Sequence, residues 1–129
     1  MELPEFAPGM TARVELTVTD ADSAQALGSG DVPVLGTPRV LALAEAATVA
    51  CTARQMPSGV TTVGTRAEIE HRAPTPVGRH VTALATLAKV DGRKLLFEVV
   101  VRDGETLVAE VRVERAIVDR QRFISKALG

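Results

Sequence analysis

Two periodicities divide the chain. From Thr11 to Thr19, TARVELTVT sets Ala12, Val14, Leu16 and Val18 against Arg13, Glu15 and Thr17, the two-residue repeat of a strand with one buried face. From Pro38 to Ala53, by contrast, Ala, Val and Leu dominate and only Arg39 and Glu45 are charged. A surface helix keeps a polar stripe recurring about every three or four residues. This one lacks it, and is expected to be enclosed by protein nearly all round. Thr37 is placed as its N-cap, with Pro38 at the first helical position, where no hydrogen bond is lost. Pro57-Ser58-Gly59 ends it near Gln55 or Met56.

Beyond Gly59 the period returns to two. From Thr65, TRAEIEHRA alternates Ala67, Ile69, His71 and Ala73 against Arg66, Glu68, Glu70 and Arg72. Further strands are expected over Arg79 to Val90, Arg93 to Arg102 and Thr106 to Val118. Asp91-Gly92 and Asp103-Gly104 mark hairpins between them, as turns with positive φ at both positions. DRQRFISKAL reads as a short amphipathic helix. The connection from Asp20 to Gly36 is long for a small domain and is expected to be a loop over a site. Strand, apolar helix and four more strands predict an α+β fold: a curved antiparallel five-stranded sheet wrapped around a long central helix, one domain over residues 1–129. Such a sheet has two open edges and cannot cover a helix apolar on all sides, so a homodimer is expected.

Composition narrows the classes. The chain has 129 residues, a net charge of −1 and three Phe without Tyr or Trp, which leaves neither the basic face nor the stacking rings of a nucleic-acid reader. A single cysteine, Cys51, lies in the apolar helix and reads as a small hydrophobe. MELPEFAPGM lacks the charged and apolar regions of a signal peptide, and no run approaches the roughly 18 apolar residues of a membrane span. A cytoplasmic protein with no membrane association is expected. Two histidines and one buried cysteine assemble no metal site, and the phosphate-cradling and serine-hydrolase motifs are absent from the sequence.

Three ionisable residues break the apolar faces: Glu45 on the helix, His71 on the second strand and Arg115 on the last, beside Val111, Val113 and Ile117. Each has an ordinary reading: an ion pair, a core histidine, a structural counter-ion. Entering one interior together, the carboxylate and the imidazole supply a base or nucleophile and a proton shuttle. Thr37 precedes Glu45 by about 12 Å along the helix axis, so contact between them needs a substrate or water. Gly64 predicts a bulge or a close backbone approach, and its N–H is a candidate oxyanion donor. His80 is read as exposed and without a role.

Topology and these residues look like the hotdog fold, and the chain closely resembles the fluoroacetyl-CoA thioesterase-like family. The resemblance is carried by DSAQALGSGDVPVLGTPRVLALAEAA, VGTRAEIEHRAPTPVG, and VDGRKLLFEVVVRDG followed by VERAIVD. It implies a homodimeric hydrolase of short acyl-CoA thioesters, with Thr37, Glu45 and His71 catalytic and Gly64 and Arg115 at the substrate. No cofactor is implied, coenzyme A being part of the substrate. Arg66, Arg72, Arg79, Lys89, Arg93 and Lys94 are candidate partners for its phosphates. Two departures stand out. AEVRV replaces a Gly-x-Gly-Thr-His stretch, with Val113 where the histidine falls, and the loop before the helix lacks the phenylalanines of the fluoroacetate-specific member. The competing readings are a non-hydrolytic acyl-CoA or acyl-carrier binding module and a hotdog dehydratase.

Overall fold

The structure, a computed structural model, describes all 129 residues. In chain order the elements are β1 (Thr11–Thr17), a one-turn helix α1 (Ala24–Leu27), α2 (Thr37–Thr52), β2 (Val60–His71), β3 (His80–Asp91), β4 (Lys94–Asp103), β5 (Thr106–Asp119) and α3 (Arg120–Leu128). The sheet is antiparallel, in the order β1-β3-β4-β5-β2. β1 and β2 are therefore its two edges. The expected meander of the last three strands is present, but its turns differ in kind. The loop residues are Gly92-Arg93 and Gly104-Glu105, and only the glycines, at 58° and 59°, have positive φ. Both turns therefore put the left-handed residue first, as in a type II′ rather than a type I′ turn.

α2 lies across the inner face of the sheet. Val40, Leu43, Ala44, Ala47 and Cys51 meet inward residues such as Val81, Ala85, Leu87, Phe97, Val99, Val113 and Ile117. Its small side chains let the strands approach closely. Burial pushes the Cys51 thiol up, and the sulfur donates to the Ala85 carbonyl at 3.5 Å, so it packs as a small hydrophobe. The enclosure of α2 is incomplete in the protomer. Pro38, Ala42, Ala46, Val49 and Ala50 form an exposed stripe, because a five-stranded sheet spans only one side of a helix. Beside it on β2, Ala67 is exposed and Ile69 half-buried. No helix is long and apolar enough to cross a membrane.

The expected loop from Asp20 to Gly36 is a folded flap. It holds a 3-10 turn at Asp20–Asp22, α1, and isolated bridges Ser23–Leu35 and Val34–Pro76. Asp22 anchors it. Its carboxylate accepts from the Thr19 N–H (2.8 Å), the Thr19 hydroxyl (3.0 Å) and Arg39 Nε (2.9 Å), and its carbonyl accepts from the Gly36 N–H at 2.9 Å. Burial pushes this carboxyl up, but the Thr19 and Arg39 bonds outweigh it and hold the group below its ordinary value. Gly36 has an ordinary φ of −81°, so its lack of a side chain serves closeness. A Cβ there would stand 3.0 Å from Ala24 Cα, whereas one at Gly30 would make only an ordinary 3.6 Å contact. Gly36→Ala should therefore cost about 1–3 kcal/mol in urea unfolding by overpacking the flap's base, and Gly30→Ala less than about 0.5 kcal/mol. Equal midpoints for the two variants would mean that the flap yields freely.

Candidate active site

The inward groups form two clusters. In the first, Arg115 is buried, with a side-chain exposure of 8%, and its guanidinium is fixed on three sides. Nε donates to the Thr62 hydroxyl (3.0 Å), Nη2 to the Thr62 carbonyl (3.1 Å) and Nη1 to Glu45 Oε2 (3.1 Å). Glu45 keeps 39% of its side chain exposed, so one carboxylate oxygen is tethered and the other is free to meet a ligand. Gly64 closes against the pair. A Cβ at this position would stand 2.6 Å from Glu45 Oε2 and 3.4 Å from Arg115 Nη1. The expected bulge is here, for Gly64 pairs with Arg115 and Arg66 with Glu114, leaving Thr65 as the extra residue. It also explains why β2 begins at Val60 rather than Thr65: the bulge interrupts the alternation by which the strand is recognised.

The second cluster is Thr37 with His71, Oγ1 to Nδ1 at 2.8 Å. Thr37 is not the N-cap. Gly36 occupies that place and Thr37 opens the helix, which turns its hydroxyl across to the end of β2 instead of back onto the helix. His71 Nε2 is buried and has no partner. Leaving a buried polar nitrogen unpaired costs about 1–3 kcal/mol, a cost that a ligand would remove. Burial lowers the imidazole below its ordinary 6.5, with the Ala73 carbonyl acting the other way. A cleft of about 360 Å³ opens here between the flap and the end of β2, lined by Val32, Val34, Leu35, Thr37, His71 and Pro74 among others.

Within one protomer the clusters stay apart. Thr37 and Glu45 are separated by about 12 Å of helix, and Gly64 and His71 by roughly 20 Å of strand. The expectation that Glu45, His71 and Arg115 share one interior thus holds for Glu45 with Arg115 and fails, in the protomer, for His71. Thr62 was not among the sequence candidates. The signal was there, in a β-branched inward position two residues before Gly64, but lay upstream of the expected strand start. His80 is exposed, 3.0 Å from the Thr17 hydroxyl and 3.4 Å from Glu15. A larger hollow of about 410 Å³ on the outer sheet face contains Glu68, Glu70, Glu98, Glu110 and Arg112. Its carboxylates are tied to Arg66, Arg72 and Arg112, a solvated lattice of ion pairs.

A five-stranded antiparallel sheet around one long apolar helix is the architecture of the hotdog-fold thioesterases. The sequence pattern described as "FlK: Fluoroacetyl-CoA-specific thioesterase" matches residues 18–121, and the chain belongs to this family of thioester hydrolases. Among its relatives is the fluoroacetyl-CoA thioesterase of Streptantibioticus cattleyicolor, 33% identical over 93 residues, 72% of this chain and 67% of that one. A solved structure of the fluoroacetyl-CoA thioesterase FlK superimposes with a TM-score of 0.89 at 27% identity, covering 95% of this chain and 96% of that one. A FlK variant solved with fluoroacetate and CoA gives 0.86 at 27% identity over 92% and 99%. A hot-dog-like protein from Thermanaerovibrio acidaminovorans, 23% identical and covering 95% and 91%, shares the fold with a TM-score of 0.88.

Two measurements follow from this geometry. Gly64→Ala should push the Glu45 carboxylate off Arg115, lowering thioester turnover about tenfold or more and, because the buried guanidinium loses a partner, lowering stability by about 1–3 kcal/mol in urea unfolding. Turnover equal to wild type would detach that contact from function. For His71 the folded-state pKa is depressed, so as pH falls the unfolded chain takes up the proton first. Its contribution to stability is lost as pH drops from about 6.5 through the folded value. The urea midpoint should therefore fall further between about pH 7.5 and pH 5 in wild type than in His71→Asn.

Proposed function

We propose that this protein hydrolyses short-chain acyl-CoA thioesters to the free acid and CoA, with Glu45, His71 and Thr37 as its catalytic residues, in a homodimer. The observation that carries the reading is the Glu45–Arg115–Gly64 contact. A half-exposed carboxylate is held by a buried guanidinium against a backbone position where no side chain fits. The free Glu45 oxygen then either adds to the thioester carbonyl or takes a proton from the attacking water. The β2 backbone around Gly64 offers N–H groups to the developing oxyanion. The departing thiolate, with a conjugate acid near 8.5 if it resembles a cysteine, needs little acid assistance. His71, oriented by Thr37, relays the proton through its unpartnered Nε2. No cofactor enters these steps. The flap over the cleft presents Val32, Val34 and Leu35 and no aromatic side chain, which supports small aliphatic acyl groups over selectivity for fluoroacetyl.

The dimer supplies what the protomer keeps apart. β2 is a free edge, and Gly64 and His71 lie on either side of its middle. Antiparallel pairing of β2 with its own copy, about a twofold at Ala67 or Glu68, sets each Gly64 beside the partner's His71. Either centre also sets Arg66 opposite an acidic residue, the partner's Glu68 or the partner's Glu70, a favourable cross-strand pair. The exposed Ala stripe of α2 flanks the same edge, where a second copy would cover it.

One experiment tests both parts. Thiol release from a panel of short acyl-CoAs should fall at least about a hundredfold in Glu45→Gln. Mixing inactive Glu45→Gln with inactive His71→Ala and allowing subunits to exchange should restore activity, because one site per mixed dimer then receives both native residues. Undiminished release by Glu45→Gln would remove the carboxylate from the reaction. Mixtures that stay inactive after verified exchange would place both residues on one subunit. Tight acyl-CoA binding without release in wild type would favour the binding module.

A further inference from the structure

We infer that the end of the molecule bearing α3 is the binding site for the nucleotide phosphates of the acyl-CoA, an inference that rests on the proposed function. The charges of the protein are unevenly spent. Of the arginines that the sequence suggested as phosphate partners, Arg66, Arg72 and Arg79 each hold carboxylates, at 2.8, 2.6 and 3.1 Å. A phosphate there would have to displace an existing ion pair. At the opposite end Arg54, Arg93, Lys94, Arg120, Arg122 and Lys126 make no ion pair with any carboxylate.

The fold gathers these cations from three segments. α2 runs out through the 3-10 turn Ala53–Gln55, which carries Arg54. The β3–β4 turn brings Arg93, whose carbonyl accepts from the Ile117 N–H at 2.8 Å, with Lys94 paired against Ala116. α3 leaves β5 beside the start of β2, where the Arg120 N–H donates to the Gly59 carbonyl at 3.0 Å. None of its residues is buried, and it has no acidic residue of its own. Asp91 flanks the β3–β4 turn, Asp119 is engaged as the α3 cap by the Arg122 N–H at 2.9 Å, and the N-terminal segment with Glu2 and Glu5 enters β1 from the same end, past Leu87 of β3.

Distance fits the ligand. From Glu45 to Arg54 the helix rises about 13 Å, and from Gly64 to Val60 the strand covers a similar length. An extended pantetheine arm is about as long as four extended residues, so a thioester held at Glu45 sets its phosphates among these side chains. Flexible cations facing a multiply charged phosphate ester make charge-assisted hydrogen bonds that salt weakens.

The test compares wild type with the triple variant Arg120→Gln, Arg122→Gln and Lys126→Gln, titrated calorimetrically with CoA and with pantetheine, which carries no phosphate. CoA should bind about tenfold more weakly to the variant, and pantetheine equally to both. High salt should bring wild type towards the variant. Arg93→Gln with Lys94→Gln, outside the helix, should weaken CoA in the same direction should α3 unravel in the first variant. Equal CoA affinity in wild type and both variants, absence of CoA binding from all, or equal losses for CoA and pantetheine would overturn the site. Thiol release measured alongside separates the two readings. Hydrolysis with unchanged CoA affinity sinks the phosphate site alone, and a CoA difference without hydrolysis sinks only the proposed reaction.

Discussion

The contact between Glu45 and Arg115 is the constraint to which the rest of the molecule conforms. Burying a guanidinium unpaired on the inner face of a strand costs several kcal/mol. Thr62 satisfies two of its donors and Glu45 a third. That requirement sets Glu45 over the β2–β5 pair, forbids a side chain at Gly64, and fixes the crossing of helix and sheet at this point. Because the pair is partly open to solvent, the arrangement does more than neutralise charge. It holds a carboxylate at the protomer surface with one oxygen committed and one free.

The remainder of the helix is organised around bringing that point close to the sheet. Alanines at 44 and 47 and the buried Thr48 keep the helix thin where it meets the strands. Thr48 returns its hydroxyl to the Glu45 carbonyl at 2.6 Å, so its polar atom is satisfied within the helix. At the N-terminal end the flap fixes the first turn through Asp22 and Arg39, on either side of Thr37, and the Thr37 hydroxyl is thereby presented to His71. The candidate site and the anchoring of the fold thus draw on the same few polar contacts, set in an otherwise apolar interior.

Much of this was legible in the sequence. The two-residue alternation of the strands and the lack of a polar stripe on the helix are strong signals, because they follow from which faces are buried, and they led to the correct architecture. Glu45 and Arg115 were recognisable as partners because each interrupts an apolar face. Thr37 was misplaced since a threonine before proline satisfies the ordinary capping pattern, and only the packing of the flap shows that Gly36 takes the cap. Thr62 was hidden by the interrupted alternation at Gly64. Which arginines stand free was invisible, because pairs such as Arg72 with Glu110 and Arg79 with Asp103 join distant parts of the chain.

The bulge at Thr65 does the least conspicuous and most consequential job. Side chains alternate faces along a strand, so two residues seven apart point to opposite sides of a regular sheet. Gly64 and His71 are so separated, yet Gly64 turns towards Glu45 and His71 towards Thr37, both on the helix side. One extra residue between them reverses the alternation. Deleting it would leave the β5 pairing intact on one side only, sending either the glycine or the imidazole to the outer face. The same residue interrupts the edge along which a second copy is proposed to pair, and natural sheets commonly use bulges to restrict how an exposed edge is matched. A single inserted position thus sets Gly64 and His71 on one face and, in the proposed dimer, limits the register in which a second copy can pair.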